Sequence, residues 1–177
     1  MKDDTLFFID GDGKTDLSED LRARLREVAR GNGHGVREIE LKKDDIPSCL
    51  GCLRCITKHP GRCVHHESLA GIIERASGCS AAVFLTPARF GTYSSSIKNV
   101  VDRSGFFIDN HGHCRKIVIG YAEEANDEER STFLDITVKH RGQADIVHLK
   151  VRETIDAFFT RSREDNTQIC GLLERVV

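Results

Sequence analysis

Cys49, Cys52, Cys55 and Cys63 are spaced C-x2-C-x2-C-x7-C. Three thiols at every third position come together on a tightly wound loop, and Pro60-Gly61 turns the chain so that the fourth returns to them. Thiolates are soft ligands that suit iron–sulfur clusters, zinc and copper(I). Overlapping C-x2-C steps followed by one further cysteine follow the spacing of [4Fe-4S] sites. Structural zinc more often uses two pairs well separated in sequence. The pattern therefore points first to a [4Fe-4S] cluster. Zinc or redox-active thiols, and four reduced cysteines that bind nothing, are the alternatives. The last is the weaker because a polar loop offers little apolar interior for four thiols. His59, His65 and His66 flank the loop and read as exposed, with ligand substitution by one of them as the other option. Cys79, Cys114 and Cys170 each fall alone in or beside an apolar stretch and read as small buried hydrophobes.

The rest of the chain bounds what such a loop can serve. Its 177 residues are 39% hydrophobic and 31% charged, enough apolar surface for one ordinary domain, taken as 1–177 with a cysteine-rich loop at about 44–67. A net charge of −2 and a pI near 6.4 argue against a nucleic-acid partner. Arg22, Arg24, Arg26 and Arg30 are interleaved with Glu19, Asp20 and Glu27, the pattern of a solvated helix face. No apolar run is long enough for a membrane span, and after Met1 only the short run Leu6–Ile9 is apolar. A cytoplasmic, reducing setting is expected, where clustered thiols are metal ligands or redox groups more often than disulfides.

Strands and helices alternate along the sequence. Thr5–Ile9 is a short, wholly apolar run of the kind buried on both faces. Gly11 and Gly13 interrupt it. From Leu17, apolar residues recur at helical spacing through Leu21, Leu25 and Val28, with Asp16 as the expected N-cap and Glu19 as its partner. Gly31-Asn32-Gly33 ends that helix. Val36–Leu41 reads as strand two and Ala81–Leu85 as strand three, with a helix through Leu69, Ile72, Ile73 and Ala76 between them. A helix through Ile97, Val100 and Val101, strand four at Lys116–Gly120 and a helix over 128–140 follow. Strand five is expected through Ile146, Leu149 and Val151, and the tail from Glu153 as mostly helical with a break at Ser162–Asn166. This alternation predicts an α/β fold: a doubly wound, five-stranded parallel sheet of order 2-1-3-4-5, with helices on both faces. Ligands of such sheets bind at the carboxyl ends of the strands. No Ser-His-Asp set, paired carboxylates or Walker-type loop offers a rival chemistry.

Two segments carry a family resemblance. Pro47–Cys55 with Gly61-Arg62-Cys63 resembles the cysteine loop of the iron–sulfur flavoproteins, relatives of the NAD(P)H-dependent FMN reductases. Thr86–Ser94, continuing to Ile97–Arg103, is similar to that family's second flavin loop and the helix after it. The match runs over about residues 5 to 120. It implies a flavodoxin-like fold, bound FMN and an FMN-binding electron-transfer oxidoreductase, with a [4Fe-4S] cluster on Cys49, Cys52, Cys55 and Cys63 passing single electrons to or from the flavin. It also implies a homodimer or homotetramer and a small-molecule or protein redox partner. Thr86, Pro87, Ala88, Arg89, Phe90, Gly91 and Tyr93 are then expected at the isoalloxazine, through the backbone of 88–91 and an aromatic ring. Asp12, Lys14, Thr15 and Ser18 are expected at the phosphate, yet this loop departs from the usual Gly-Ser-x-Arg start, and Asp12 and Asp16 oppose a dianion. Gly120-Tyr121-Ala122-Glu123-Glu124 is unusually acidic, which weakens nicotinamide as the electron source. The competing readings are a cluster-free FMN reductase and a flavodoxin-like scaffold that has lost its flavin and binds metal through its cysteines.

Overall fold

Short apolar runs build the sheet, and amphipathic helices cover it. The computed structural model describes residues 4–59, 63–65, 71–72, 79–107, 114–139 and 155–174. Strands β1 (Asp4–Asp10), β2 (Gly35–Leu41), β3 (Cys79–Pro87), β4 (Arg115–Tyr121) and β5 (Ile155–Thr160) pair in parallel in the order β2-β1-β3-β4-β5, as the alternation predicts. Helix α1 spans Asp16–Gly31, a single turn α2 Arg54–Thr57, α3 Ser95–Phe107, α4 Asp127–Lys139 and α5 Arg163–Leu173.

Side chains of a strand alternate between faces, and here the two faces make two cores. Phe7, Ile9, Val83, Leu85, Ile117 and Ile119 face Leu17, Leu21 and Leu25 of α1 and Ile169 and Leu173 of α5. On the other face Leu6, Phe8, Ala82, Phe84 and Val118 meet Ile97 and Val100 of α3 and Phe133 of α4. Phe8 and Phe84 stack with centroids 4.9 Å apart. Chain direction across the sheet reverses between β1 and β3, which opens a crevice at their carboxyl ends.

Two details differ from the sequence reading. The fifth strand is Ile155–Thr160, inside the tail expected to be helical. The stretch 140–154, where Ile146, Leu149 and Val151 suggested a strand, lies outside the described residues, as does most of the expected helix from Leu69 to Ala76. In β5, Phe159 and Thr160 are buried and Asp156 pairs with Arg115 of the adjoining strand at 2.7 Å. Six residues are too few for periodicity to separate strand from helix. The second difference is the cap of α1. Thr15, extended at φ −135°, is the N-cap, and Ser18 takes the reciprocal place expected for Glu19. Of the break expected over Ser162–Asn166 only its start holds: Ser162 caps α5 by accepting from the Asp165 N–H, and the helix already runs from Arg163.

The arginine-rich face of α1 is more than solvated. Arg22 and Arg26 both fork onto Glu38 of β2, at 2.7 and 2.6 Å. Burial alone would raise the Glu38 pKa, but the Arg26 and Arg22 guanidiniums outweigh it and hold the carboxyl at about 2 against its ordinary 4.5. A depressed carboxylate contributes stability above its unfolded pKa and loses it as pH falls through the folded one. Wild-type stability should therefore decline between pH 4.5 and about 2. Glu38→Gln should remove that part of the decline and lower neutral-pH stability by about 1 kcal/mol after solvent screening. Urea midpoints at several pH values measure both; an identical acid slope in the variant would put the sensitivity elsewhere. Among the described residues, no helix is long and apolar enough to cross a membrane.

Candidate functional site

The carboxyl edge of β1, β2 and β3 carries three loops; a hydrogen bond joins those after β1 and β2, and the helix that follows the loop after β3 bonds to the end of β1 and to the loop after β2. The first, after β1, is organised by Asp10. Its carboxylate is 3% exposed. Oδ1 accepts the Asp12 N–H at 3.0 Å and the Gly13 N–H at 2.6 Å, and Oδ2 accepts the Ser96 hydroxyl from α3 at 2.5 Å. The Thr15 N–H donates to Ser18 Oγ and the Ser18 N–H to Thr15 Oγ1. Lys14 reaches away to Glu40 at 2.7 Å. Asp12 accepts the Lys43 N–H at 2.7 Å, joining this loop to the one after β2. Gly13 lies under Pro87: a Cβ there would come within 2.5 Å of the proline ring. The Tyr121 hydroxyl donates to the Gly13 carbonyl at 3.0 Å.

The second loop, after β3, is a tight hairpin. Arg89 and Thr92 exchange backbone hydrogen bonds around Phe90 and Gly91, both left-handed at φ 53° and 69°, the two-residue reverse turn that needs positive φ twice. Gly91 has no room for a side chain, since a Cβ would lie 2.7 Å from Thr132 of α4. Buried Thr86 draws the loop back by accepting the Ser94 N–H at 2.9 Å. The Ala88 N–H is bonded to the Tyr121 carbonyl, so less of the 88–91 backbone faces a ligand than the sequence suggested. Tyr93 is a core residue, 6% exposed. Its hydroxyl donates to Thr137 at 2.6 Å, and burial raises its pKa to about 12. Phe90, 89% exposed at the turn tip, is the aromatic left free to cover a ring.

Between these loops lies an open groove of about 280 Å³, bordered by Asp10, Asp12, Gly13, Lys43, Pro87, Arg89, Tyr93 and Ser94–Ser96. That is near the lower end for small-molecule sites. Of the residues expected at the phosphate, Asp12 borders the groove, whereas Lys14, Thr15 and Ser18 do not. Pro87, Arg89 and Tyr93 border it from the ring side. The ring end thus fits a flat heterocycle. The phosphate end is poorly suited to a dianion, because its Asp12, Gly13, Thr15 and Ser18 amides are bonded to the Asp10 carboxylate and the capping residues.

The third loop, after β2, carries the cysteines. Left-handed backbone at Gly51 (φ 62°) and Leu53 (φ 54°) curls the chain on either side of Cys52, and α2 presents Cys55. All four of Cys49, Cys52, Cys55 and Cys63 line one small pocket, with His65 and Arg103. Burial pushes the Cys55 thiol up, and the Cys49, Cys63 and Cys52 thiols push it the same way. The donor set suits a soft metal, yet among the described residues no three His, Cys, Asp or Glu side chains are placed to hold an ion. Helix α3 holds this loop in place. Asn99 donates to the Ile46 carbonyl at 2.6 Å and Arg103 to the Ser48 carbonyl at 2.7 Å. Arg103 is 4% exposed, and its Nε and Nη1 have no hydrogen-bond partner among the described residues. A buried guanidinium with unused donors beside four thiols suits an anionic occupant.

Sequence reasoning missed Asp10, which looks like the last residue of a strand, and Ser96, which looks like a helix-start serine. Neither has a local signal, since the bond between them closes over 86 residues. It also treated Cys79 and Cys114 singly. Their sulfurs lie 2.9 Å apart at the amino end of the sheet, away from the site; that hydrogen bond, ahead of burial, which opposes it, lowers the Cys79 pKa.

Comparison with known proteins fits this arrangement. The family model for NADPH-dependent FMN reductase matches residues 12–129. A curated iron–sulfur flavoprotein of Archaeoglobus fulgidus is 31% identical over 80 residues, 45% of this chain and 38% of that protein. The match therefore spans well under half of that relative. Among solved structures, an NAD(P)H:quinone oxidoreductase from Methanothermobacter marburgensis superposes with a TM-score of 0.68 over 99% of both chains at 16% identity. The flavoenzyme FerB, an NAD(P)H:(acceptor) oxidoreductase of Paracoccus denitrificans, superposes with a TM-score of 0.56 at 15% identity, over 97% of this chain and 94% of that one. At such identities the likeness is one of fold. Because the family model covers most of the chain, and covers the loops just described, this protein belongs to the NADPH-dependent FMN reductase family, on a flavodoxin-like sheet.

Proposed function

We propose that the protein is an electron-transfer oxidoreductase that binds flavin in the β1–β3 groove and holds a [4Fe-4S] cluster on Cys49, Cys52, Cys55 and Cys63 for one-electron exchange with it. The observation that carries this reading is the convergence of four cysteines on one pocket at the same sheet edge as the flavin groove. A bound flavin supplies chemistry that accepts electrons in pairs and releases them singly. The chain's part is positional. The Thr86–Ser94 hydrogen bond and the Phe90-Gly91 turn fix the loop on which the ring would lie. Arg103 and Asn99 fix the cysteine loop against α3, and the Asp12–Lys43 bond keeps the two sites in register. The relative named as an iron–sulfur flavoprotein supports the metal.

The same reading includes a cytoplasmic homodimer or homotetramer and a small-molecule or protein redox partner. Leu50, Leu53 and Val64, exposed beside the cysteine pocket, support a contact there, since clustered exposed apolar side chains mark interaction surfaces. A second reading, a cluster-free reductase with free thiols, is favoured by the lack of a preformed metal-holding group among the described residues. The absorbance of anaerobically purified protein separates the two. Blue and near-ultraviolet flavin bands with a broad brown shoulder are expected. Flavin bands alone select the second reading, and neither feature selects a scaffold that has lost its flavin.

A further inference from the structure

A loop that grips phosphate offers free backbone amides, hydroxyls, a cation and the positive end of a helix. In the β1–α1 loop the groups around Asp10 and the α1 cap already have internal partners. The Asp12 and Gly13 amides converge on Asp10 Oδ1, the geometry in which a turn receives a phosphate oxygen. The Thr15 amide donates to Ser18 Oγ, the Ser18 amide to Thr15 Oγ1, and the Ser18 hydroxyl to the Thr15 carbonyl. The one cation of the loop, Lys14, is paired with Glu40. The first turn of α1 carries Asp16 and Glu19, which already answer the helix dipole. Asp10 is also held from the far side by Ser96, so its carboxylate is fixed and not a side chain that swings aside. The Asp12 carboxylate, on Lys43 N, adds a second negative charge on the groove.

We infer that the Asp10 carboxylate takes the place of a phosphate in the β1–α1 loop, so that the site recognises flavin by its ring and ribityl chain and does not distinguish FMN from riboflavin. The inference rests on the flavin reading above and deepens it: the ligand class is a flavin whose terminal phosphate contributes nothing to binding here. A phosphate brought to the loop would meet a fixed carboxylate on amides that have no second proton to give.

The test compares FMN and riboflavin by quenching of flavin fluorescence, in wild type, Asp10→Ser and Asp10→Asn. In wild type the two dissociation constants should agree within about threefold. Asp10→Ser frees two amides and removes the charge, so it should tighten FMN relative to riboflavin by about tenfold or more. Asp10→Asn keeps an acceptor for both amides but not the charge, and should shift the ratio in the same direction by less. It serves as the informative variant if Asp10→Ser does not fold. Wild type binding FMN tenfold more tightly than riboflavin would overturn the inference and leave the flavin reading standing. If wild type binds neither flavin, the flavin reading fails, and inorganic phosphate still decides the inference. Phosphate should raise the thermal midpoint of an Asp10 variant and not that of wild type; stabilisation of wild type by phosphate, at constant ionic strength, would overturn it.

Discussion

Replacing any one of Cys49, Cys52, Cys55 or Cys63 with serine should strip the protein of iron and acid-labile sulfide while its flavin content stays at the wild-type level. Cys79→Ser, Cys114→Ser and Cys170→Ser should leave all three unchanged per folded chain. Serine exchanges a soft thiolate for a hard, mostly protonated hydroxyl, and a cluster held at four corners does not survive as a stable species on three. Loss of even an outer-shell partner costs a metal site about 10- to 100-fold, so loss of a ligand should exceed that. Flavin is spared because none of the four cysteines borders its groove, which has Pro87, Arg89 and Ser94 on one side and Asp12 and Gly13 on the other, with Lys43 contributed by the loop after β2. The remaining three cysteines lie far from the pocket: Cys79 and Cys114 beside each other at the amino end of the sheet, Cys170 in the core under α5. Iron, sulfide, zinc and flavin are measured after anaerobic reconstitution across the seven variants. Zinc without iron in wild type would replace the cluster by a structural metal. No metal at all would leave free thiols, as the cluster-free reading holds.

How far the sequence led to this picture follows from what each feature depends on. The strands β1, β3 and β4 were legible because both their faces are buried, and burial on two sides leaves an unbroken apolar run. Strand β2 was legible by alternation instead: Ile39 and Leu41 are buried on one face and Glu40 between them is exposed. Strand β5 was not: Ile155-Asp156-Ala157-Phe158-Phe159-Thr160 mixes an ion-paired aspartate with core phenylalanine, and only its pairing with β4 fixes its state. The cysteine pocket was legible because its ligand set is local in sequence. Arg103, which lines it, belongs to a helix 40 residues beyond Cys63 and has no spacing that marks it. The phosphate loop was read as a weakened site on the strength of Asp12 and Asp16. Asp10 shows why it is closed, and its role depends on Ser96, which local sequence cannot supply. Tyr93 was placed on the flavin by its neighbours in the chain; it borders the groove while its ring packs on Phe133 and its hydroxyl bonds to Thr137 of α4.

Phe133→Ala should cost about 3–5 kcal/mol of folding stability, as large-to-small changes at well-packed aromatic positions do. Phe133 is fully buried. Its ring meets Tyr93 at 5.2 Å and, edge to face, Phe159 at 5.4 Å. It fills the space that Gly120 leaves by having no side chain, since a Cβ there would stand 2.6 Å from the ring. One side chain thus joins α4, β4, β5 and the loop that carries Phe90, and the cavity left by alanine cannot collapse without moving all four. Domains of this size are stable by only about 5–15 kcal/mol, so the loss is a large share. Phe133→Leu, which keeps most of the volume, should lose less. Phe90→Ala, at the exposed turn tip, should stay within about 0.5 kcal/mol, although it removes the aromatic expected over the ring. Urea unfolding resolves the three: the midpoint of Phe133→Ala should fall with its slope unchanged, the mark of lost stability in an intact two-state fold. Flavin affinity should fall in both alanine variants, through a loosened loop in one and a missing ring contact in the other. A Phe133→Ala protein as stable as Phe90→Ala would show that α4 does not brace the loop, and the positional account of the flavin site would go with it.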